Sequence, residues 1–290
     1  MKILITGASG FLGSYLLKSL LKKAHQIIAL KRSFSNIFRI ENEISRIKVY
    51  DIDKRLISDI FNENKDIDLI IHTATSRGYN EESALDIFKT NVRFPLELLD
   101  FASKNGIKSF INTGSVLPLI YGGVLYEHLL SKKQFFDWGK IYSSKINFIN
   151  VNLDYLYGPF EDKIKFIPFL VEKCTSDCGQ INITSGSQKR NFIYIDDVIN
   201  AYLLIIQNIG LGFTEYNIGG ANTLTIKEAA VKIKKITQSK IILNFGAIAY
   251  RDKEPMEIKS NMDNLFALGW KPKVGFEDGI REILKQEYKR

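Results

Sequence analysis

The chain opens on a short apolar run, Lys2-Ile3-Leu4-Ile5, which breaks into Thr6-Gly7-Ala8-Ser9-Gly10-Phe11-Leu12-Gly13 and then into a periodic stretch with Leu16, Leu17, Leu20 and Leu21. An apolar run stopped by glycine predicts a buried strand, and apolar residues recurring at three and four predict a helix on its core. Strand-like runs return at Gln26–Leu30, Ile47–Tyr50, Leu69–His72, Ser109–Asn112 and Asn147–Val151, with helical stretches over 81–104 and 128–141 between the last three. This alternation predicts an α/β fold: a doubly wound, mostly parallel sheet of about seven strands with helices on both faces. After Tyr157-Gly158-Pro159 the rhythm changes. A helix around 165–175 leads through a polar stretch to Arg190–Asp197, where Asp196 or Asp197 is expected to cap a helix over 197–208. Thr225, with Glu228 three positions on, forms a capping box for a helix over 226–237. The expected division is a first domain of 1–157 plus 191–220 and a smaller interleaved α/β lobe of 158–190 plus 221–290.

Composition narrows the class without changing this picture. The 290 residues are 45% hydrophobic and 25% charged, as in an ordinary globular protein. The formal charge of +8 is spread over lysine pairs such as Lys22-Lys23 and Lys234-Lys235. Without a basic block or an aromatic platform, that charge points away from nucleic acid. No apolar stretch reaches bilayer-spanning length, and the first strand starts at residue 2, so neither a membrane partner nor a leader is expected. Cys174 and Cys178 lack histidines at zinc-ligand spacing, which leaves reduced thiols, no metal site and a cytoplasmic setting as the expectation.

Three glycines at spacing three, directly after a strand and at the opening of a helix, carry chemistry. Gly7 allows the turn, Gly10 lets backbone approach a pyrophosphate, and Gly13 lets the helix pack close; the helix N-terminus then faces the anion. Gly7, Ser9, Gly10, Phe11, Leu12 and Gly13 are therefore candidate dinucleotide contacts in a Rossmann domain. The second strand ends in Lys31-Arg32-Ser33, with no acid in reach to accept from a ribose 2′-hydroxyl. Two cations and a hydroxyl suit a 2′-phosphate, so NADP(H) is favoured over NAD(H).

Further segments agree in order and spacing: Asp51-Ile52, Ile71-His72-Thr73-Ala74-Thr75, Asn91, Ile111-Asn112-Thr113-Gly114-Ser115, Ser131-Lys132, Tyr157-Gly158-Pro159, Arg190 through Asp197, and Arg251. Together they resemble the extended short-chain dehydrogenase/reductases, the NAD(P)-dependent epimerase/dehydratase family, over the whole chain. Lys165-Phe166-Ile167-Pro168, Arg190–Tyr202, Phe245–Ile248 with Arg251-Asp252, and Leu268–Pro272 look closer still to the CDP-abequose and CDP-paratose synthases. That resemblance implies reduction of a 4-keto deoxysugar on CDP, a homodimer, and a place in surface-polysaccharide sugar biosynthesis. It also implies that Asp51 and Ile52 frame the adenine, and that Thr73, Ala74, Thr75, Asn91 and Leu153 line the cofactor. Tyr155, Lys165, Phe166, Arg190 and Arg251 are implied as substrate contacts, the two arginines on the pyrophosphate.

The family's catalytic set is a Ser or Thr, a Tyr and a Lys, the last two one helical turn apart. Thr113 and Ser115 fit the hydroxyl, and Lys132 fits the lysine. Four residues before Lys132 stands His128 instead of tyrosine. Three readings follow. His128 replaces the phenol as proton donor or acceptor. Alternatively Tyr126 reaches in, which requires a non-helical segment before Leu129, because six helical residues place it about 240° from Lys132. Lastly, the site has lost ordinary proton transfer and serves as a dinucleotide-binding sensor. Within enzymes, an epimerase or dehydrogenase that retains its cofactor is the alternative to a net reductase.

Overall fold

The computed structural model describes residues 1–79, 82–123, 125–176 and 179–289. In chain order it runs β1 (Lys2–Thr6), α1 (Phe11–Lys22), β2 (Gln26–Lys31), β3 (Lys48–Asp51), α2 (Ile57–Glu63) and β4 (Leu69–His72). There follow α3 (Ala84–Phe88), a π-turn over Lys89–Arg93, α4 (Phe94–Lys104), β5 (Ser109–Ser115), α5 (Tyr126–Tyr142), β6 (Asn147–Leu153) and β7 (Tyr155–Tyr157). The remainder is α6 (Phe166–Ser176), β8 (Gln180–Ile183), β9 (Lys189–Tyr194), α7 (Ile195–Gln207), β10 (Phe213–Ile218), β11 (Thr223–Thr225), α8 (Ile226–Thr237), β12 (Ile242–Phe245), α9 (Asp263–Ala267) and α10 (Phe276–Tyr288).

Two compact units share these elements. The first comprises 1–115, 125–152 and 202–216; the second comprises 116–124, 153–201 and 217–290. Residues 116–124, 153–157, 191–201 and 217–220, assigned to the first domain from the sequence, thus lie in the second unit.

The first unit holds the seven-stranded sheet, ordered β10-β6-β5-β4-β1-β2-β3. The pairs β1–β2, β1–β4, β2–β3 and β4–β5 are parallel. This is the doubly wound arrangement that the alternation predicts. Strand order reverses between β1 and β4, and in such sheets ligands bind outside the carboxyl ends of the strands at that point. Leu4, Ile28, Ile70, Phe110 and Phe148 bury one sheet face against Leu98, Leu99 and Phe135. Phe110 and Phe148 stack with ring centroids 5.8 Å apart. Gly139 in α5 lets that helix rest on Phe148: a Cβ there would lie 2.1 Å from the ring carbons.

Two helical expectations shift. The stretch expected as one helix over 81–104 is α3 and α4 joined by the π-turn, and residue 81 lies outside the described residues. Pro95 explains the widening, since it has no N–H to return to the carbonyl of Asn91. Helix α5 begins at Tyr126, two residues earlier than the periodicity implies.

The second unit carries a sheet ordered β11-β9-β7 and a ribbon β12-β8. Tyr157, Phe192 and Phe276 make its aromatic centre, with centroid separations of 5.3 Å for Phe192–Phe276 and 5.5 Å for Tyr157–Phe276. The Thr225–Glu228 capping box forms as its spacing predicts. Asp196 and Asp197 do not cap α7 from outside; both lie in its first turn. The Asp197 carboxylate instead accepts from the backbone N–H of Lys273 (3.0 Å) and Val274 (2.9 Å). Cys174 is buried and in no disulfide among the described residues, and Cys178 lies outside them. Among the described residues no helix is long and apolar enough to cross a membrane, and no three potential ligands gather around a metal position.

Candidate active site

The glycine turn sits at the reversal point of the sheet. Gly7 has φ +69°, and a Cβ on it would lie 2.6 Å from the backbone nitrogen of Ala74. A Cβ on Gly13 would lie 2.1 Å from the Gly7 carbonyl oxygen. The first and third glycines thus allow backbone against backbone, between the turns after β1 and β4 in one case and between turn and helix in the other. Gly10 is extended and precedes α1, whose first turn has neither a side-chain cap nor an acidic residue. Its uncapped N–H groups and positive dipole end fit a pyrophosphate. Ser9 and Phe11 are half-buried beside this turn and Leu12 is buried. The chain therefore has the cradle that a nicotinamide dinucleotide requires.

At the far end of that cradle the structure corrects the reading of local charge. Register pairs Lys31 with Asp51 across β2 and β3. The Lys31 ammonium lies 2.5 Å from the Asp51 carboxylate. The hydroxyl and backbone N–H of Ser33 both donate to Asp53, at 2.6 and 2.7 Å, and these bonds hold the Asp53 carboxyl below its ordinary pKa. Two acids, twenty residues away in sequence, thus reach the tip of β2. Arg32 stays exposed, its guanidinium 4.8 Å from the centroid of the Phe34 ring. Ile52 donates its N–H to the Lys31 carbonyl at 2.9 Å.

After β4, the Thr73 hydroxyl donates to the Thr6 carbonyl at 2.7 Å, and Ala74 N–H donates to the Thr6 hydroxyl at 3.3 Å. His72 is fully buried, with Nδ1 2.8 Å from that hydroxyl and with its Nε2 lacking a partner. Burial, and secondarily the Lys132 cation, push its pKa well below the usual value, so it is neutral.

Asn91, buried in the π-turn, ties three segments together. Its Oδ1 accepts from Ser76 N–H (2.7 Å) and the Thr75 hydroxyl (3.3 Å), while Nδ2 donates to the Ser76 carbonyl (2.8 Å) and the Ser131 hydroxyl (2.9 Å). The structure therefore gives Asn91 a positioning role between the loop after β4 and α5.

His128 is also buried. Its Nδ1 lies 2.7 Å from the Ser76 carbonyl oxygen, which can only accept, so Nδ1 carries the hydrogen. The 3.4 Å approach of Asn91 Nδ2 to the same nitrogen then sets donor against donor and is not a hydrogen bond. Burial first, and the Lys132 charge second, lower the His128 pKa to about 3. One turn on, the Lys132 ammonium donates to the Thr113 carbonyl at 2.9 Å. Burial, followed by repulsion from Arg77, lowers its pKa to about 7. The Thr113 hydroxyl meets the phenol of the fully buried Tyr202 at 2.8 Å. Ser115 ends β5, half-buried. Tyr126 opens the continuous helix α5, so the non-helical segment that its participation requires is absent, and it lies about 240° round from Lys132.

In the second unit, Arg190 is committed. It is 2% exposed, donates to the carbonyls of Lys189 and Pro255 (2.8 Å each), and forms an ion pair with Glu254. Its guanidinium also lies 5.2 Å from the Tyr155 ring centroid. The two arginines expected to grip a pyrophosphate are thus unlike one another, since Arg251 is exposed three residues before Glu254. Lys165 and Phe166 are half-buried at the start of α6, and the Leu153 carbonyl accepts from Val116 N–H at 3.3 Å. Sequence reasoning missed Ser76, Tyr202, Asp53 and Glu254. Each acts through tertiary contact alone, and no spacing announces it.

The fold and the dinucleotide cradle define an NAD(P)-dependent enzyme. The model of the NAD dependent epimerase/dehydratase family matches residues 3–219, and the chain belongs to that family. It is accordingly an NAD(P)-dependent oxidoreductase or epimerase of the nucleotide-sugar class. Over 292 aligned residues it is 35% identical to a CDP-abequose synthase of Salmonella muenchen, covering 99% of this chain and 98% of the relative. A CDP-abequose synthase of Yersinia pseudotuberculosis is 27% identical, over 92% of this chain and 94% of that one. Among solved structures, the UDP-glucose 4-epimerase of Thermotoga maritima with UDP-glucose superposes with a TM-score of 0.87 at 22% identity, covering 100% of this chain and 99% of that one. The UDP-glucuronic acid 4-epimerase of Bacillus cereus, in complex with UDP-glucuronic acid and NAD, gives 0.85 at 23% identity, with 99% of each chain covered. At these identities the structural likeness speaks for the fold.

Proposed function

We propose that this protein reduces the C4 keto group of a CDP-linked deoxysugar, with NADPH as the favoured reductant, in the biosynthesis of surface-polysaccharide sugars. The observation that carries this reading is its end-to-end similarity to CDP-abequose synthase, at 35% identity. The glycine cradle and Lys132 are the parts of the first unit that the chemistry needs. A bound reduced nicotinamide supplies the hydride. Lys132 holds the nicotinamide ribose, and Ser115 polarises the sugar carbonyl. In the second unit, Arg251 meets the substrate's phosphates. Tyr155 faces the sugar, and Lys165 and Phe166 shape the nucleotide side.

The Asp51 and Asp53 carboxylates at the tip of β2 favour a second reading of the cofactor, NADH. Arg32, exposed beside them, is the residue that favours a 2′-phosphate.

Purified protein incubated with CDP- and other nucleotide-linked 4-keto-6-deoxy and 4-keto-3,6-dideoxy sugars, with NADPH and NADH in parallel, tests both points by loss of absorbance. Turnover is expected with the CDP sugar and a lower KM for NADPH. Tight cofactor binding with no turnover on any sugar would sink the reductase reading in favour of a sensor.

A further inference from the structure

The position where the family carries a tyrosine holds His128, and its surroundings disqualify it as an acid. The single ring N–H is spent on the Ser76 carbonyl at 2.7 Å. Burial keeps the ring neutral, and in the neutral ring this bond fixes the tautomer whose other nitrogen can only accept. Tyr126 is on another face of the same helix. The Thr113 hydroxyl is engaged by Tyr202 at 2.8 Å. Ser115 is assigned to polarising the carbonyl, and one further group, on α5 against the end of β5, is both cationic and under-used. The Lys132 ammonium has three N–H bonds, and Thr113 O takes one of them, at 2.9 Å. Among the described residues it has no carboxylate partner. The titratable and charged groups acting on it are cationic or neutral: Arg77 from the loop after β4, His72 at the end of β4, and His128 on its own helix. An ammonium held without a counter-ion, beside a second cation, gives up its proton readily.

We propose that Lys132 is itself the proton donor to the C4 oxygen, and that His128 is a positioning residue that locks the first turn of α5 to the Ser76 loop. This inference rests on the reductase reading above. The C4 carbon gains hydride from the reduced nicotinamide dinucleotide. The carbonyl π pair takes a proton from Nζ, the Nζ–H bond breaks, and a neutral amine remains that regains its proton from water. One Lys132 N–H thus holds Thr113, a second is available to the ribose, and the third serves the substrate.

The electrostatics of the site agree with this assignment. The Lys132 pKa of about 7 matches an acid that works near neutrality, whereas His128 at about 3 carries no transferable charge there.

Three measurements test the proposal together. Lys132→Arg keeps a cation at the ribose but cannot release a proton near neutral pH. It should lower kcat about 100-fold or more while the cofactor Kd, read by fluorescence titration, changes less than about threefold. Competitive acetylation of the cofactor-free protein across pH, with mass-spectrometric readout, should place the midpoint of Lys132 reactivity near pH 7. His128→Gln should reduce kcat yet leave the descending limb of the pH profile in the neutral range. Retained turnover in Lys132→Arg, a Lys132 midpoint in the ordinary lysine range, or loss of that limb in His128→Gln would each overturn the proposal. Failure of the reductase reading looks different: the wild type then turns over none of the keto sugars, whatever Lys132 titrates at.

Discussion

Arg190 and Arg251 carry the same charge in opposite settings, one buried and one exposed. Arg190 is buried in a pair with Glu254, and removing one partner of such a pair leaves an uncompensated buried charge. Arg190→Ala should therefore destabilise the fold by about 3–5 kcal/mol, seen as a large drop in Tm. Arg251→Ala should leave Tm nearly unchanged and raise the KM for the nucleotide sugar. Equal effects on stability would refute the distinction. Asp154 offers a pH-dependent counterpart. It accepts from the Ser260 hydroxyl at 2.6 Å, its other oxygen has no partner, and burial raises its pKa to about 7. Because the unfolded chain has the ordinary lower value, this group costs stability progressively as pH rises from about 4 to about 7. Asp154→Asn should be more stable than the wild type at pH 8, by up to about 4 kcal/mol, and the two should converge near pH 4. Denaturant midpoints at the two pH values check the sign.

At the scale of elements, the parallel sheet, the glycine turn and the capping box of α8 were legible in sequence, because each is written in local periodicity or fixed spacing. The π-turn was not, since the periodicity runs through it; its consequence, Asn91 turned into the hub of the loop after β4 and α5, depends on packing. The acids beside Lys31 escaped notice because parallel pairing of β2 and β3 sets residues twenty apart side by side. Arg190 looked like a phosphate ligand for the same reason, since its partner lies sixty-four residues onward. Helix α5 carries His128 and Lys132, and its seating on the sheet rests on Gly139. A Cβ there would lie 2.1 Å from Phe148. Gly139→Ala should destabilise by about 1–3 kcal/mol despite the better helix propensity of alanine. It should also weaken cofactor binding, because Lys132 rides on the displaced helix. A variant as stable as the wild type, with unchanged cofactor affinity, would show that the helix tolerates the shift.

At the scale of the whole molecule, two compact units carry these residues. The first contains the dinucleotide cradle and Lys132, and the second contains Tyr155, the exposed Arg251 and the buried Arg190–Glu254 pair. Family membership accounts for the cradle, and His128 stands where the family's pattern has a tyrosine. The most direct test of the central claim is transfer of deuterium from 4-deuterated NADPH to a CDP-linked 4-keto-3,6-dideoxyhexose, followed by NMR. The account predicts deuterium bound to sugar C4, with one cofactor oxidised for each carbonyl reduced. Interconversion of sugars with no net oxidation of the cofactor, or no label at C4, would contradict it.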